Sequence, residues 1–578
     1  MLNQELAKIF YEIADFLEMD DIPFKPNAYR KVAFVLENFQ EDIEDVYLRE
    51  GVKSLNNDIS GVGESIAKKI EEYIKTGKIK YFEQLKKKTP IDMEKLNAVE
   101  GLGPKRIKTL YQKLGVKNVN DLEREIKAGR VSSLFGFGQK TEANLLEGIL
   151  FLQRTGGRFL LGNILPRVRE IIKQLNKLQE IEKIDVAGSV RRGKETVKDI
   201  DLLVITKSPD KVMDYFVSLP GVVKVWSKGK TKSSVRMKDG FDVDLRVVAK
   251  KSYGSALQYF TGSKEHNIAT RRIAISLGLK LNEYGVFKQD KAIAGSDEPG
   301  VYKALGMPYI EPELRENRGE IIAALKNKLP KIIIRQDIKG DLHCHSDWSD
   351  GQNTIMELAQ SAIEMGYQYL GITDHTHFLK VTNGLDEKRI IAQIEEIDKL
   401  NHVFQNRGTD FKILKGVETN ILDNGSMDIS DEVLATLDYV IAGVHSNFKI
   451  EKEDMTERIL KAMQNPYVKI ISHPTGRILQ RRDEYKIDLD KILKAAKDRN
   501  IILEINSNPE RLDLNDENIK RAKKAGVKMV INSDSHDKAK LSYIDFGIIQ
   551  ARRGWVEKAD ILNTLSLKDL LNFLKRND

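Results

Sequence analysis

Eight of the nine histidines in this 578-residue chain lie beyond residue 340, and seven of those stand at or just past the end of a short apolar run. The runs YLGITDH, YVIAGVHS, KIISHP, IILEIN and KMVINSDSH alternate with stretches of helical periodicity. That rhythm predicts a parallel sheet or barrel in which each strand delivers a polar residue to one common end. Asp341-Leu342-His343-Cys344-His345 puts two imidazoles on one face of a strand, and Asp350 follows in the loop. Asp374-His375, Glu418, His445, His473 and Asp534-Ser535-His536 complete the series. A lone buried histidine is usually structural, but six interleaved with carboxylates are not. Imidazole plus carboxylate suits Zn²⁺, Mn²⁺ or Fe²⁺, and Glu418 is placed to bridge two ions. Ions so held lower the pKa of a bound water and polarise a phosphoryl oxygen, so phosphoester hydrolysis is the expected reaction.

Charge divides the chain differently. The net charge is +8, but residues 51–300 hold 47 basic and 30 acidic side chains, whereas residues 1–50 hold 5 and 12 and residues 301–578 hold 42 and 44. A polyanionic partner for the middle segment follows. The single cysteine excludes a disulfide scaffold and a cysteine-based zinc finger, and it fits a reducing cytosol. Glu5, Glu12 and Asp15 interrupt the apolar pattern at the start, which reads as an amphipathic helix and not a signal peptide. No run of about 18 uncharged apolar residues occurs, so no membrane span is expected.

Before residue 150 the apolar spacing is helical, and a short motif repeats. Ile59-Ser60-Gly61-Val62-Gly63 recurs as Val99-Glu100-Gly101-Leu102-Gly103, with a looser copy at Leu134-Phe135-Gly136-Phe137-Gly138. Gly-x-Gly before a helix exposes backbone N–H groups at the helix N-terminus, and the glycines let a phosphodiester come close. Two good copies and one loose copy inside the basic segment predict a grip on the DNA backbone without sequence readout. They resemble helix-hairpin-helix motifs.

From about 185 to 250, KIDVAGSV, DIDLLVIT and FDVDLRVV read as strands. Residues two apart on a strand share a face, so Asp199 and Asp201 present paired carboxylates, and either Asp242 or Asp244 on a neighbouring strand can join them. Such a cluster repels itself unless divalent cations sit there, and hard oxygen ligands suit Mg²⁺ bridging nucleotide phosphates. Two cations would activate a 3′-hydroxyl and stabilise leaving pyrophosphate. Gly229-Lys230-Thr231 is not a phosphate-binding P-loop, because Lys224 stands where the motif needs its first glycine.

Residues 1–315 resemble DNA polymerase family X, the small repair polymerases. The resemblance rests on Tyr29-Arg30-Lys31, Gly188-Ser189 with Arg191-Arg192-Gly193, Asp199-x-Asp201, Asp244-Leu245-Arg246, Tyr259-Phe260-Thr261-Gly262-Ser263 and Asn282-Glu283-Tyr284, in that order. It implies that Asp199, Asp201 and Asp244 hold the catalytic Mg²⁺ or Mn²⁺ and that Asp242 stands outside the triad. It also implies that Gly188, Ser189 and Arg192 hold the triphosphate and that Tyr259, Phe260 and Gly262 pack by the sugar. Asn267 and Arg271 match contacts to nucleotide and template. Lys25, Tyr29 and Lys232 are expected to touch DNA, with Gly61, Gly63, Gly101 and Gly103. Lys69 stands where the family's 5′-deoxyribose-phosphate lyase places its Schiff-base lysine, but Ser65 and Tyr81 replace phosphate-binding lysines, and Lys264 replaces an acidic residue near the base.

Residues 339–578 resemble the PHP (polymerase and histidinol phosphatase) domain, a distorted β/α barrel with a trinuclear centre. Its usual ligands have counterparts at His343, His345, Asp350, His375, Glu418, His445, His473, Asp534 and His536, for up to three Mn²⁺ or Zn²⁺ ions. His377 is extra to that pattern and is expected behind the ligands or at the surface.

The expected fold is multidomain: a helical DNA-binding, lyase-like region at 1–85, a helix-hairpin-helix subdomain at 86–155, an α+β nucleotidyltransferase palm at 156–250, a nucleotide-selection subdomain at 251–318, a linker at 319–338 and a (β/α)7 PHP barrel at 339–578. The expected function is templated filling of short gaps from dNTPs, with 3′-5′ exonuclease, end-cleaning or abasic-site cleavage by the barrel, in the cytoplasm at the nucleoid, as a monomer. The competing readings are an end-processing nuclease whose palm only binds DNA, a non-catalytic end-binding scaffold, and a small-molecule phosphatase fused to hairpins.

Overall fold

Three glycines set the repeated turns of the N-terminal region: Gly61, Gly101 and Gly136 hold φ of 83°, 83° and 84°, a region that side-chain-bearing residues avoid. In each copy the residue after that glycine donates its N–H to the carbonyl three residues earlier in the chain (Val62 to Ile59, Leu102 to Val99, Phe137 to Leu134), and a helix starts after the second glycine. The computed structural model describes residues 2–37, 42–59, 61–97, 99, 101–378 and 382–575, so Ser60 and Glu100 of the hairpins lie outside the described residues. Its two units are Met1–Arg158 and Phe159–Asp578.

The first unit is helical, from Leu2–Met19 to Gln139–Thr155, and one apolar core runs through it. Val62, Leu102 and Phe137, the apolar residues between the paired glycines, are all buried in that core. The repeat thus buries its middle residue and turns its glycines outward.

The second unit opens with a five-stranded sheet in the spatial order Ile181–Val186, Asp199–Thr206, Asp242–Val247, Lys232–Met237, Val222–Lys228. The two aspartate-bearing strands are parallel neighbours, with Asp199 opposite Asp242 and Asp201 opposite Asp244. Between Asp199 and Asp201, Ile200 is fully buried on the opposite face against the helices Leu161–Leu175 and Pro209–Val217. The alternation fixes which face carries the acids. Helices Tyr253–Thr261 and Lys264–Ser276 and a small antiparallel sheet (Lys280–Asn282, Gly285–Lys288, Lys291–Ala294) follow. The segment 319–338 connects by packing and not as a loose tether. Its helix Glu320–Leu325 sits in the preceding core, while Ile333 and Ile338 are buried in the barrel core.

Two parallel sheets form the barrel among the described residues: Gly340–Cys344, Tyr369–Ile372 and Lys412–Lys415 in one, and Glu418–Asn420, Val440–Gly443, Val468–Ile471, Ile502–Asn506 and Met529–Asn532 in the other. They meet at Gly416-Val417, where the Gly416 N–H donates to the Ile372 carbonyl and the Val417 carbonyl accepts from the Ile441 N–H. His345 N–H donates to the Ser535 carbonyl at 2.8 Å, joining the last strand to the first. The strands are buried on both faces, which explains why they read as continuous apolar runs.

Candidate active sites

The connection after strand Ile181–Val186, a loop that includes the one-turn helix Gly188–Arg191, brings glycine against acid. A Cβ on Gly188 would lie 2.3 Å from Asp201 Oδ2, and Gly188 also holds φ of 62°, so both space and conformation demand glycine. Asp201 is half-buried; desolvation and then Asp199 and Asp244 push its carboxyl from 3.8 up to about 7, partly offset by Arg246 and Lys232. Such mutual repulsion is what a divalent cation relieves, so the three acids fit the ions their chemistry calls for. Asp242, by contrast, is engaged by both Arg236 and, at 2.8 Å, Trp226 Nε1. Lys232, expected at a DNA surface, is buried with its ammonium 3.0 Å from Asp244.

The two arginines of the loop divide their work. Arg191 forks onto Glu298 at 2.9 and 2.6 Å and donates to Thr261 Oγ1 at 2.8 Å, a structural tie. Arg192 donates Nε to Glu316 at 3.0 Å and Nη1 to the Thr261 carbonyl. Gly262 closes in on Arg192, since its Cβ would stand 3.2 Å from Nη1. Tyr259 and Phe260 meet edge to face at 5.0 Å, with Arg271 over the first ring and Arg246 over the second. Asn267 donates to the Tyr259 carbonyl at 2.7 Å and accepts from Gln258 at 2.9 Å. Ser189 is half-buried on the same loop. The sheet register and the loop therefore gather the carboxylates and Gly188, and Arg192 joins Thr261 and Gly262 beside them.

In the helical unit, Lys69 lies on Glu64–Thr76 and borders a hollow of about 580 Å³ lined also by Ser65, Lys68, Lys80 and Tyr81. Its ammonium bonds Ser65 Oγ at 3.1 Å and stands 5.2 Å from the Tyr81 ring. Burial and the neighbouring Lys25 lower its pKa, the direction that frees an amine for nucleophilic attack. Tyr29 is buried and pushed up to about 12, by burial and by Tyr81.

At the C-terminal ends of the barrel strands all nine expected ligands converge. With one ligand atom from each residue and those atoms within 4.8 Å of one another, His345, Asp350, His375 and His536 form one group, His343, His345 and Asp534 a second, and His375, Glu418 and His445 a third; His473 belongs to none of these and meets the cluster through Glu418. Glu418 lies at the centre, with Oε2 3.0 Å from His375 Nδ1 and 3.4 Å from His343 Nε2, and Oε1 3.1 Å from His473 Nε2 and 3.3 Å from His445 Nε2. His343 Nε2, both nitrogens of His345, His375 Nδ1, Glu418 Oε2 and His445 Nε2 are buried without a hydrogen-bond partner. Buried polar atoms pointing at one another unpaired are costly unless something binds them, and the donor set is that of divalent metal. His345 is pushed down to about 3 and His445 to about 4, chiefly by burial, so both are neutral donors at physiological pH. His473 and Asp534 hold φ of 28° and 52°, backbone strain sited at the cluster. His377 is exposed.

The sequence pattern missed the groups that aim these ligands. Glu504 Oε1 lies 2.7 Å from His343 Nδ1, and its Oε2 accepts from the His473 backbone N–H at 2.8 Å. His445 Nδ1 lies 2.8 Å from Asn420 Oδ1, whose amide is fixed by Thr376 and Asp428. Each contact puts the proton on Nδ1 and leaves Nε2 facing the cluster. Glu504 had a legible signal, a lone acid inside the apolar run IILEIN.

Five domain families match the chain: a helix-hairpin-helix domain at residues 1–79, a SAM-like helix-hairpin-helix tandem at 93–149, a nucleotidyltransferase domain at 165–273, a DNA polymerase beta thumb at 256–316 and a PHP domain at 341–508. The chain is 40% identical over 583 residues, the whole of both chains, to the DNA polymerase/3′-5′ exonuclease PolX of Bacillus subtilis (strain 168). A probable phosphatase of Acetivibrio thermocellus is 33% identical over 205 residues, 34% of this chain and 78% of that protein. One of Thermoanaerobacter sp. (strain X514) is 31% identical over 239 residues, 39% of this chain and 89% of that protein.

Proposed function

Because the chain belongs to the family X DNA polymerases that carry a C-terminal PHP domain, we propose that it fills short gaps in DNA from dNTPs and trims 3′ ends in the 3′-5′ direction. The observation that carries the reading is the coexistence in one chain of two acid-rich sites, the Asp199, Asp201 and Asp244 face of the palm and the barrel mouth, where eight residues form groups able to hold metal and His473 stands beside Glu418. A nuclease that uses its palm only to hold DNA would not need Gly188 pressed against Asp201.

In this reading Asp199, Asp201 and Asp244 would hold Mg²⁺ or Mn²⁺, and the nine barrel residues up to three Mn²⁺ or Zn²⁺. When bound, such cations neutralise developing charge on phosphoryl oxygens and acidify the hydroxyl or water that attacks. Gly188 and Ser189 offer the triphosphate a close backbone approach and a hydroxyl, and Arg192 offers a guanidinium. Tyr259 and Phe260 flank the sugar, where a ribose 2′-hydroxyl would crowd them, and Arg271 and Asn267 lie behind the Tyr259 ring and carbonyl. The hairpin glycines Gly61, Gly63, Gly101 and Gly103, together with Lys25, carry DNA by its backbone. In the barrel, Glu504 and Asn420 hold the His343 and His445 rings in the orientation that hydrolysis requires. Lys69, its pKa lowered, serves as the amine for 5′-deoxyribose-phosphate removal, with Tyr29 behind it.

The setting that unites these steps is base-excision repair on chromosomal DNA in the cytoplasm, by a monomer, with abasic-site cleavage as a further barrel reaction. No helix among the described residues is long and apolar enough to cross a membrane. A one-nucleotide gap assay tests the proposal: wild type incorporates the templated dNTP and Asp244→Ala does not. Equal incorporation by both, or none by wild type, contradicts it.

A further inference from the structure

Three contacts tie the nucleotide loop of the palm to the barrel. Arg553 ends the helix Ile544–Arg553 and is 2% exposed. Its Nη1 donates to the Arg192 carbonyl at 2.7 Å and to Glu316 Oε1 at 3.0 Å, and its Nη2 donates to Asp516 Oδ2 at 2.6 Å. Glu316 Oε1 is the same oxygen that accepts from Arg192 Nε at 3.0 Å. One residue on, Gly193 holds φ of 63° and packs so closely that a Cβ would stand 2.2 Å from Ile549 Cγ2 on the same barrel helix. Glu195 then accepts from barrel Arg477 at 2.7 Å, and Arg477 also reaches the Leu512 carbonyl. The loop end from Arg192 to Glu195 is therefore held by the barrel through a backbone carbonyl, a glycine and a carboxylate. None of Arg477, Ile549 and Arg553 belongs to the metal-ligand groups.

Charge gives the contact a consequence. Glu316 stands among Arg192, Arg553 and, at 4.0 Å, Lys194, and Arg553 is shared in turn with Asp516, which also binds Arg318 at 2.6 Å. With Arg553 present, one carboxylate is divided between two guanidinium groups, so Arg192 keeps unspent positive charge. Without it, Glu316 collapses onto Arg192, and the guanidinium is both neutralised and drawn off the loop.

We infer that the barrel forms part of the polymerase's nucleotide pocket, with Arg553 as a positioning residue that, through the Arg192 carbonyl and Glu316, holds Arg192 ready for the incoming triphosphate. The inference rests on the reading of Arg192 as a triphosphate contact. It explains why a hydrolase head is fused rigidly behind a polymerase head: the fusion supplies a wall of the active site, not only a second activity.

The test is steady-state gap filling by the full chain with wild type, Arg553→Gln and Arg553→Lys, each checked for folding by thermal melting. KM for dNTP rises about tenfold in Arg553→Gln, while kcat stays within about twofold and the 3′-exonuclease rate is retained, the split expected when ground-state binding alone is weakened. Arg553→Lys keeps the charge but reaches fewer of the three acceptors, so its KM lies between the two. If the glutamine variant does not fold, the lysine variant alone must show the raised KM. Synthesis with unchanged KM in every folded variant overturns the inference alone. A wild type that incorporates no dNTP overturns the polymerase reading and the inference with it.

Discussion

Glu504 Oε1 stands 2.7 Å from His343 Nδ1, both side chains being fully buried. The carboxylate accepts from the ring Nδ1–H and so turns Nε2 of His343 toward Glu418 and Asp534. Replacing Glu504 with leucine keeps the volume and removes the orientation. Metal affinity of the barrel should fall about 10- to 100-fold, the usual cost of losing a partner behind a ligand. Competition with a chelator, read as metal content per chain, checks this, and wild-type affinity in Glu504→Leu would contradict it.

Gly188→Ala should silence synthesis and spare excision. The new methyl would lie 2.3 Å from Asp201 Oδ2, on backbone at φ of 62° that alanine adopts only with strain of about 1 kcal/mol or more. Primer extension is expected to drop at least about 100-fold, as for a misplaced catalytic geometry, with exonuclease unchanged. Near-normal extension would show that the loop does not set the carboxylate.

Asp201 gives the metal-free protein a pH dependence of defined sign. Its folded pKa, about 7, lies above the ordinary 3.8, so between those values the unfolded chain gives up a proton that the folded chain keeps. Stability of the palm therefore falls as pH rises from about 4 to about 7 and stays reduced above that. In chelator at pH 8, Asp201→Asn should melt higher than wild type, and the gain should vanish at pH 4. The same variant should have no synthesis. A lower melting temperature at pH 8 would contradict the account.

Lys69→Ala should abolish borohydride trapping of the chain on 5′-deoxyribose-phosphate DNA while gap filling continues. Burial and Lys25 lower its pKa, the direction that a Schiff-base amine needs. Trapping that persists in the variant would move the nucleophile elsewhere.

How much of this was legible in sequence follows from the range of each signal. The hairpins were legible because Gly61, Gly101 and Gly136 repeat a local backbone requirement, which any chain must meet with the same residue. The carboxylate face and the barrel mouth were legible because strand periodicity places Asp199 with Asp201 and His343 with His345. The strand register then set Asp244 opposite Asp201 and left Asp242 to Arg236 and Trp226, an outcome that periodicity alone left open. Lys232 shows the limit of counting charge, since a basic residue in a basic segment proved to be buried against Asp244. Pairings such as Arg553 with Arg192 and Arg477 with Glu195 span hundreds of residues and carry no local pattern. Only packing the barrel against the palm creates them.

One chain that holds two separable phosphoryl chemistries shows both on a single gapped duplex labelled at its primer. With Mg²⁺ and Mn²⁺ present, Asp244→Ala should shorten the primer and not extend it even when dNTPs are added, whereas His343→Ala should extend it when dNTPs are added and leave its length unchanged when they are withheld. Loss of both activities in either variant, or loss of neither, would contradict the account.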